Sequence, residues 1–268
     1  MIVTQVGDRL RLVTQVAHQD QCGILGAAWG NHDFARPEPW DPVVQASVCH
    51  DEGWRAWERH PGVQPDGEPR GFTAMDIAEH VAIHRASSAA AGTRGDRVEM
   101  LVGMHVAGLV MRRLGLDGDA AVLDDRPGPA RELVLERALA ARALRARVGE
   151  GAEVAGWAWS AYRILQAIDL LSLYLTWRGL QAGEEWTLRR VPRCQGDEQG
   201  VDIVVAPDGA GRDALACTLR PWPFADDEVE APVEARFIAD RPYRDADDLT
   251  GALAAAPVTV LPMRVRRP

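Results

Sequence analysis

Six side chains with metal-binding chemistry follow one another along the sequence: His18, the adjacent pair His50-Asp51, then His80, His105 and Asp169. Imidazole nitrogens are borderline ligands, and a carboxylate can bridge two cations. Four imidazoles with two carboxylates therefore suit two first-row transition metals, iron or manganese, better than calcium or magnesium. A pair of such ions activates water and polarises an ester oxygen. An adjacent His-Asp pair means little alone, since His32-Asp33 repeats it in an expected turn. Asp169 carries the strongest local argument. It interrupts ILQAIDLLSLYL, where a carboxylate is costly to bury unless paired or metal-bound. A satisfied core histidine is the competing explanation for His105, in LVGMHVAGLV, and a solvated helix end is the competing one for His50-Asp51.

Other residues near these ligands could act on a substrate. His84 lies one helical turn after His80 on the same face, so one of the two ligates and the other supports it or meets substrate. His84, Asp51 and Arg55 are the expected catalytic residues. Arg55, with Arg59, Arg70 and Arg85, could clamp an anionic substrate, against the plainer role of solvated surface charge. Trp54 and Trp57 could wall a pocket, although core packing is the commoner use of tryptophan. His60, in the loop after the pair, could reach a pocket mouth.

The elements that must position these groups are legible in the periodicity. MIVTQVGDRLRLVTQV alternates around Gly7-Asp8 as a β-hairpin would. Helices are expected from His18 to Gly30, over DPVVQASVCHDEGW with the His-Asp pair inside it, and from an N-cap at Thr73. Further helices are expected over 96–115 and 130–149, the latter solvent-facing, and over 153–180, apolar and central. A polar loop covers 117–129. After Gly183 short β-type runs alternate with Gly, Pro and Asp. The expected fold is mainly α: a hairpin plus helical metal-binding body over 1–183, with a small β-rich region over 184–268. That tail is too short for a comfortable core of its own and is expected to pack on the body and pair with the hairpin. RPWPF at 220–224 would then offer an aromatic wall at the pocket rim.

Composition narrows the partners. The net charge of −9 disfavours nucleic acid and anionic membrane surfaces; the expected partner is a small, anionic substrate of the kind those arginines could clamp. All 30 basic residues are arginine, so no lysine is available to form a Schiff base or hold phosphate. Cys22, Cys49, Cys194 and Cys217 form no C-x-x-C pair. They are expected as free, mostly buried thiols of a reducing compartment. Charged residues within the first dozen positions leave no signal-peptide core, and the expected location is cytoplasmic.

The order His18, His50-Asp51, His80, His105, Asp169 resembles the six-ligand, dinuclear form of the HD-domain superfamily over about residues 15 to 180. MIV, AAWGN, HDEGW, MH, IDLLSLYL and RPWPF together resemble, more narrowly, a bacterial HD-like domain of unknown function, DUF3891. The resemblance implies an HD-type bundle and a phosphohydrolase acting on a small phosphoester through water activated between two metals. Its first rival is a mixed-valent di-iron oxygenase using the same six ligands. Its second is a degenerate HD fold serving as a binding module. One departure stands out: tryptophan (Trp54) follows Gly53, where many HD enzymes carry lysine or histidine.

Overall fold

The computed structural model describes residues 1–113, 128–149, 156–208 and 215–268. The expected end of a helix at Gly115 and the loop up to 127 lie outside the described residues. The alternating N-terminal residues form β1 (Ile2–Val6) and β2 (Arg9–Val13), antiparallel with Ile2 opposite Val13. Gly7 turns the hairpin at φ 62°, a left-handed backbone that favours glycine.

The helical layer comprises α1 (Gln15–Ala28), α2 (Asp41–Ser47), α3 (Trp54–Trp57), α4 (Ile77–Gly92), α5 (Asp96–Arg113), α6 (Pro129–Arg147), α7 (Trp157–Thr176) and α8 (Gly179–Ala182). Local capping chemistry sets the starts. The Thr14 hydroxyl accepts from Ala17 N–H, so α1 begins before His18. Asp76 rather than Thr73 caps α4, accepting from Glu79 N–H. Thr73 lies instead in a 3-10 turn, Phe72–Ala74. The turn leaves no room for helix until its polar cap is passed. The arginine-rich α6 is solvent-facing on one side only, and buries Leu133, Val134 and Leu144. The apolar α7 is buried on nearly every face and packs against α1, α2, α5 and β3 (Trp186–Val191).

The remaining elements are β4 (Val201–Pro207), β5 (Ala216–Arg220), β6 (Glu228–Glu230), β7 (Val233–Ala239), α9 (Ala246–Ala255), β8 (Thr259–Leu261) and β9 (Arg264–Arg266). They correct the expected fold class. The protein is an α/β mixture with two sheets, ordered β1-β2-β7-β8 and β3-β4-β5-β9-β6, and not a helical bundle with a small appendage. The five-stranded sheet is no fringe. Leu188, Ile203, Val205, Leu219 and Val265 share one core with Ile164, Leu165 and Ile168 of α7. Local pattern could not reveal this. The sheet rests on three-residue strands and on a parallel β5–β9 pairing between segments far apart in sequence, and neither leaves a periodic signature. Among the described residues, no helix is long and apolar enough to cross a membrane.

The hairpin joins the tail directly, with β2 antiparallel to β7 and Leu10 opposite Ile238. Two glycines then draw the helical segments together. A Cβ on Gly23 of α1 would lie 2.1 Å from Val48 Cγ1. One on Gly53 would lie 2.0 Å from the Ile83 carbonyl oxygen and 2.7 Å from Ser87 N, both backbone atoms of α4.

These contacts generate two predictions. Gly53→Ala should destabilise the protein by about 2–3 kcal/mol, the upper range for overpacking, because backbone cannot move aside as a side-chain tip can. A chemical-denaturation midpoint indistinguishable from the parent would contradict it. Removing residues 184–268 leaves β1–β2 as an isolated ribbon, which is marginal in water, and uncovers α7. The shortened chain should aggregate. Cooperative unfolding at undiminished stability would show that the helical part does not need the tail.

Candidate metal centre

Five of the six expected ligands converge in the interior from four segments. α1 supplies His18, α5 supplies His105 and α7 supplies Asp169. His50 and Asp51 come from the turn between α2 and α3. This placement corrects the expected helix: α2 ends at Ser47, and the close packing of Val48 on Gly23 turns the chain inward. Every one of the five is at least 95% buried, Asp51 being the most accessible at 5%.

Asp169 is the hub. Its Oδ1 lies 2.9 Å from His18 Nε2 and 3.6 Å from His50 Nε2, and its Oδ2 lies 3.9 Å from His105 Nε2. His50 Nε2 is also 3.8 Å from Asp51 Oδ2. The rings meet edge to face, with centroids 5.7 Å apart for His18–His50 and 5.1 Å for His50–His105.

Hydrogen bonding fixes which ring nitrogens face the hub. Gln21 Nε2–H donates to the Ala231 carbonyl at 2.6 Å, so its Oε1 is left to accept from Ser172 Oγ–H at 2.6 Å. The serine has only one proton. It must therefore accept from His18 Nδ1–H at 2.7 Å. His50 Nδ1–H likewise donates to the Ser47 carbonyl at 2.9 Å. Both rings in the neutral state thus aim an Nε2 lone pair at Asp169. A lone pair facing a carboxylate is repulsive unless positive charge lies between them. His50 Nε2 is a buried nitrogen with no hydrogen-bond partner.

The electrostatics follow from this. Burial pushes the Asp169 carboxyl up, but the facing imidazoles of His18, His50 and His105 outweigh it and hold it well below the usual carboxylate range. Burial pushes the His50 imidazole down, and the Asp51 and Asp169 carboxylates reverse that, raising it to about 9. Burial raises Asp51. The pocket thus demands a cation, which protons on imidazole or a metal ion can supply. Nε2 coordination with Nδ1–H held by a second residue is the usual arrangement of metal-bound histidine, so the donor set fits a metal.

His80, His84 and Arg55 lie on the neighbouring helices α3 and α4. His80 and His84 stack on α4 with centroids 5.2 Å apart, and Trp54 meets His80 edge-on at 5.3 Å. His84 is buried at 5% and His80 is half-buried. Gly53 places their helix against the turn that carries Asp51. Arg55 points away, into a surface groove of about 550 Å³ lined by Thr14, Asp20, Glu58, Arg59 and Glu234, and pairs with Glu52 at 2.9 Å. Arg70 pairs with Glu79, and Arg85 with Glu136 at 3.1 Å. His32 and Asp33 form an exposed pair, and exposed His60 lies 3.8 Å from Asp247.

Sequence reasoning passed over three residues of this centre. Cys22 sits one turn after His18, with Sγ 3.8 Å from His18 Nε2. A search for C-x-x-C pairs cannot find it, whereas its i, i+4 spacing from a histidine could have. Ser172, three residues after Asp169 and so on its face of α7, and Gln21 hold the His18 ring. Cys49 and Cys217 are buried, and Cys194 is exposed.

Ser172→Ala removes the acceptor that orients His18 and should weaken divalent-ion binding by about 10–100-fold, the usual cost of losing such a partner. Competition against a chromogenic chelator measures it. Affinity within twofold of the parent would remove Ser172 from this role.

No curated protein and no solved structure matches the chain. A family model does: that of the protein family of unknown function DUF3891 matches residues 1–240, taking in all six expected ligands together with Cys22, Ser172 and RPWPF. The chain belongs to that family.

Proposed function

We propose that the protein is a metal-dependent hydrolase of HD type that holds two first-row ions, iron or manganese, and cleaves a small phosphoester. The observation that carries this is Asp169, one carboxylate whose two oxygens face different imidazoles. Oδ1 faces His18 and His50, and Oδ2 faces His105. His18, His50, Asp51, His105 and Asp169 would hold the ions, with His80 as the sixth ligand. The bound ions would supply Lewis acidity and lower the pKa of water. The residues of the chain do the rest. Ser172 and the Ser47 carbonyl orient the imidazoles, and burial excludes bulk solvent. The ring of His84, which stacks on His80, would carry a proton to or from the substrate.

A second reading uses the same ligands for O2 activation by a mixed-valent di-iron pair. One observation favours it. Three of the four arginines expected to clamp phosphate are held by carboxylates, Arg55 by Glu52, Arg70 by Glu79 and Arg85 by Glu136, so a less charged substrate would suit the centre. A degenerate binding module is the third, and turnover lost in Asp51→Ala would dispose of it.

The test begins with elemental analysis after expression in iron- or manganese-supplemented medium. About two equivalents are expected, falling at least tenfold in Asp169→Asn. Less than about half an equivalent of any metal would sink the proposal, because a two-metal centre does not purify nearly empty. Phosphoester turnover under strict anaerobiosis supports hydrolysis. A product that requires O2, with an EPR signal from a mixed-valent pair, selects the oxygenase.

A further inference from the structure

We infer that Cys22 is a metal ligand, and that one of the two ions is held by His18, Cys22, His50 and Asp169 through two nitrogens, a sulfur and an oxygen. This rests on the metal-dependent reading above and adds a donor that the six-residue order does not contain.

The geometry comes first. One ligand atom from each of the four residues lies within 4.8 Å of all the others. Metal–ligand lengths of about 2.3 Å to sulfur and 2.0–2.2 Å to nitrogen or oxygen give a tetrahedron with edges of roughly 3.3–3.6 Å. Here Cys22 Sγ to His18 Nε2 is 3.8 Å, His50 Nε2 to Asp169 Oδ1 is 3.6 Å, and His18 Nε2 to Asp169 Oδ1 is 2.9 Å. Adjustments of a few tenths of an ångström bring these edges onto the figure. His18 and Cys22 also share one face of α1, the i, i+4 spacing that lets two side chains grip one ion.

The surroundings decide against a plain buried thiol. A structural cysteine packs as a small hydrophobe, whereas Cys22, with no exposure, faces the His18 ring nitrogen and lies in the same cluster as Asp169. Its protein acceptor, the Ile168 carbonyl, is 4.0 Å away. His50 Nε2, also fully buried, has no hydrogen-bond partner and points into the cluster. That atom is an independent sign that something electropositive belongs there. Charge closes the argument. A thiolate and a carboxylate neutralise a divalent ion without solvent, the thiol proton passing to solution as the ion binds. Asp51 and His105 then remain for the second ion, with Asp169 shared. A sulfur donor also selects iron or zinc over manganese at this position.

Cobalt(II) is the probe. Titrated into the metal-free full chain, it should produce a near-ultraviolet thiolate-to-cobalt charge-transfer band that is complete by two equivalents. The band should vanish in Cys22→Ser, with cobalt affinity at least tenfold lower and manganese affinity changed less than threefold. It should persist in Cys49→Ser, Cys194→Ser and Cys217→Ser. If Cys22→Ser does not fold, the wild-type band together with those three variants assigns the sulfur by elimination. Cobalt bound by the wild type without a band, or a band that survives Cys22→Ser, overturns the role of Cys22 and leaves the metal centre standing. Failure of the wild type to bind cobalt at all overturns both.

Discussion

A carboxylate in the apolar middle of α7 has to be neutralised inside the protein, since an unpaired buried charge costs several kcal/mol even after relaxation. Asp169 meets that requirement by drawing a basic side chain from each neighbouring segment: His18 from α1, His50 from the turn before α3 and His105 from α5. Imidazoles satisfy a buried acid only when their own second nitrogens are also satisfied. For His18 that condition reaches outward through Ser172 to Gln21, and for His50 to the Ser47 carbonyl. The segments must approach to backbone distance for these bonds to form. Glycine stands at two of the tightest approaches, Gly23 against Val48 and Gly53 against Ile83.

The same requirement explains what the C-terminal strands do. Gln21 donates to the Ala231 carbonyl, just before β7, so the last link of the His18 chain is made by the tail. At the far end of α1, the segment WGN meets RPWPF. Gly30 N–H donates to the Pro223 carbonyl, Asn31 Nδ2 donates to the Trp222 and Phe224 carbonyls, and Trp29 packs edge-on against Phe224 at 5.7 Å. Trp222 and Phe224 are buried. RPWPF therefore fastens the helix that carries His18 and Cys22, and does so at the opposite end of α1 from His18.

Legibility in the sequence followed the range of the interactions. The hairpin, α5 and α7 are set by local periodicity, and Asp169 was conspicuous because nothing else in its helix could explain a charge. The turn holding His50-Asp51 was misjudged as helix because VCHDEGW continues the pattern of α2, while the contact that ends α2 comes from Gly23 in a different segment. Cap position could be read only to within a few residues, since Thr73 and Asp76 are both good caps and it is Asp76 that accepts from Glu79 N–H. The β5–β9 pairing and the sharing of one core between that sheet and α7 are wholly non-local. The acidic first turn of α9, with Asp245 accepting from Asp248 N–H, was a usable signal that the surrounding β-type runs obscured.

Trp54, a candidate pocket wall by its sequence, packs otherwise. Here the indole is 1% exposed and packs between Trp57 and His80, with centroids 5.7 and 5.3 Å away. A ring so enclosed cannot be a substrate contact in this conformation. Its effect is to hold His80, which stacks on His84, so the residue acts on α4 and through it on the cluster. Of the six expected ligands, His80 alone is not buried, and nearby Arg55, Arg70 and Arg85 have carboxylate partners. The side of α4 that meets the turn carrying Asp51 is thus lined by packed rings, and the charge of the interior stays with the cluster around Asp169.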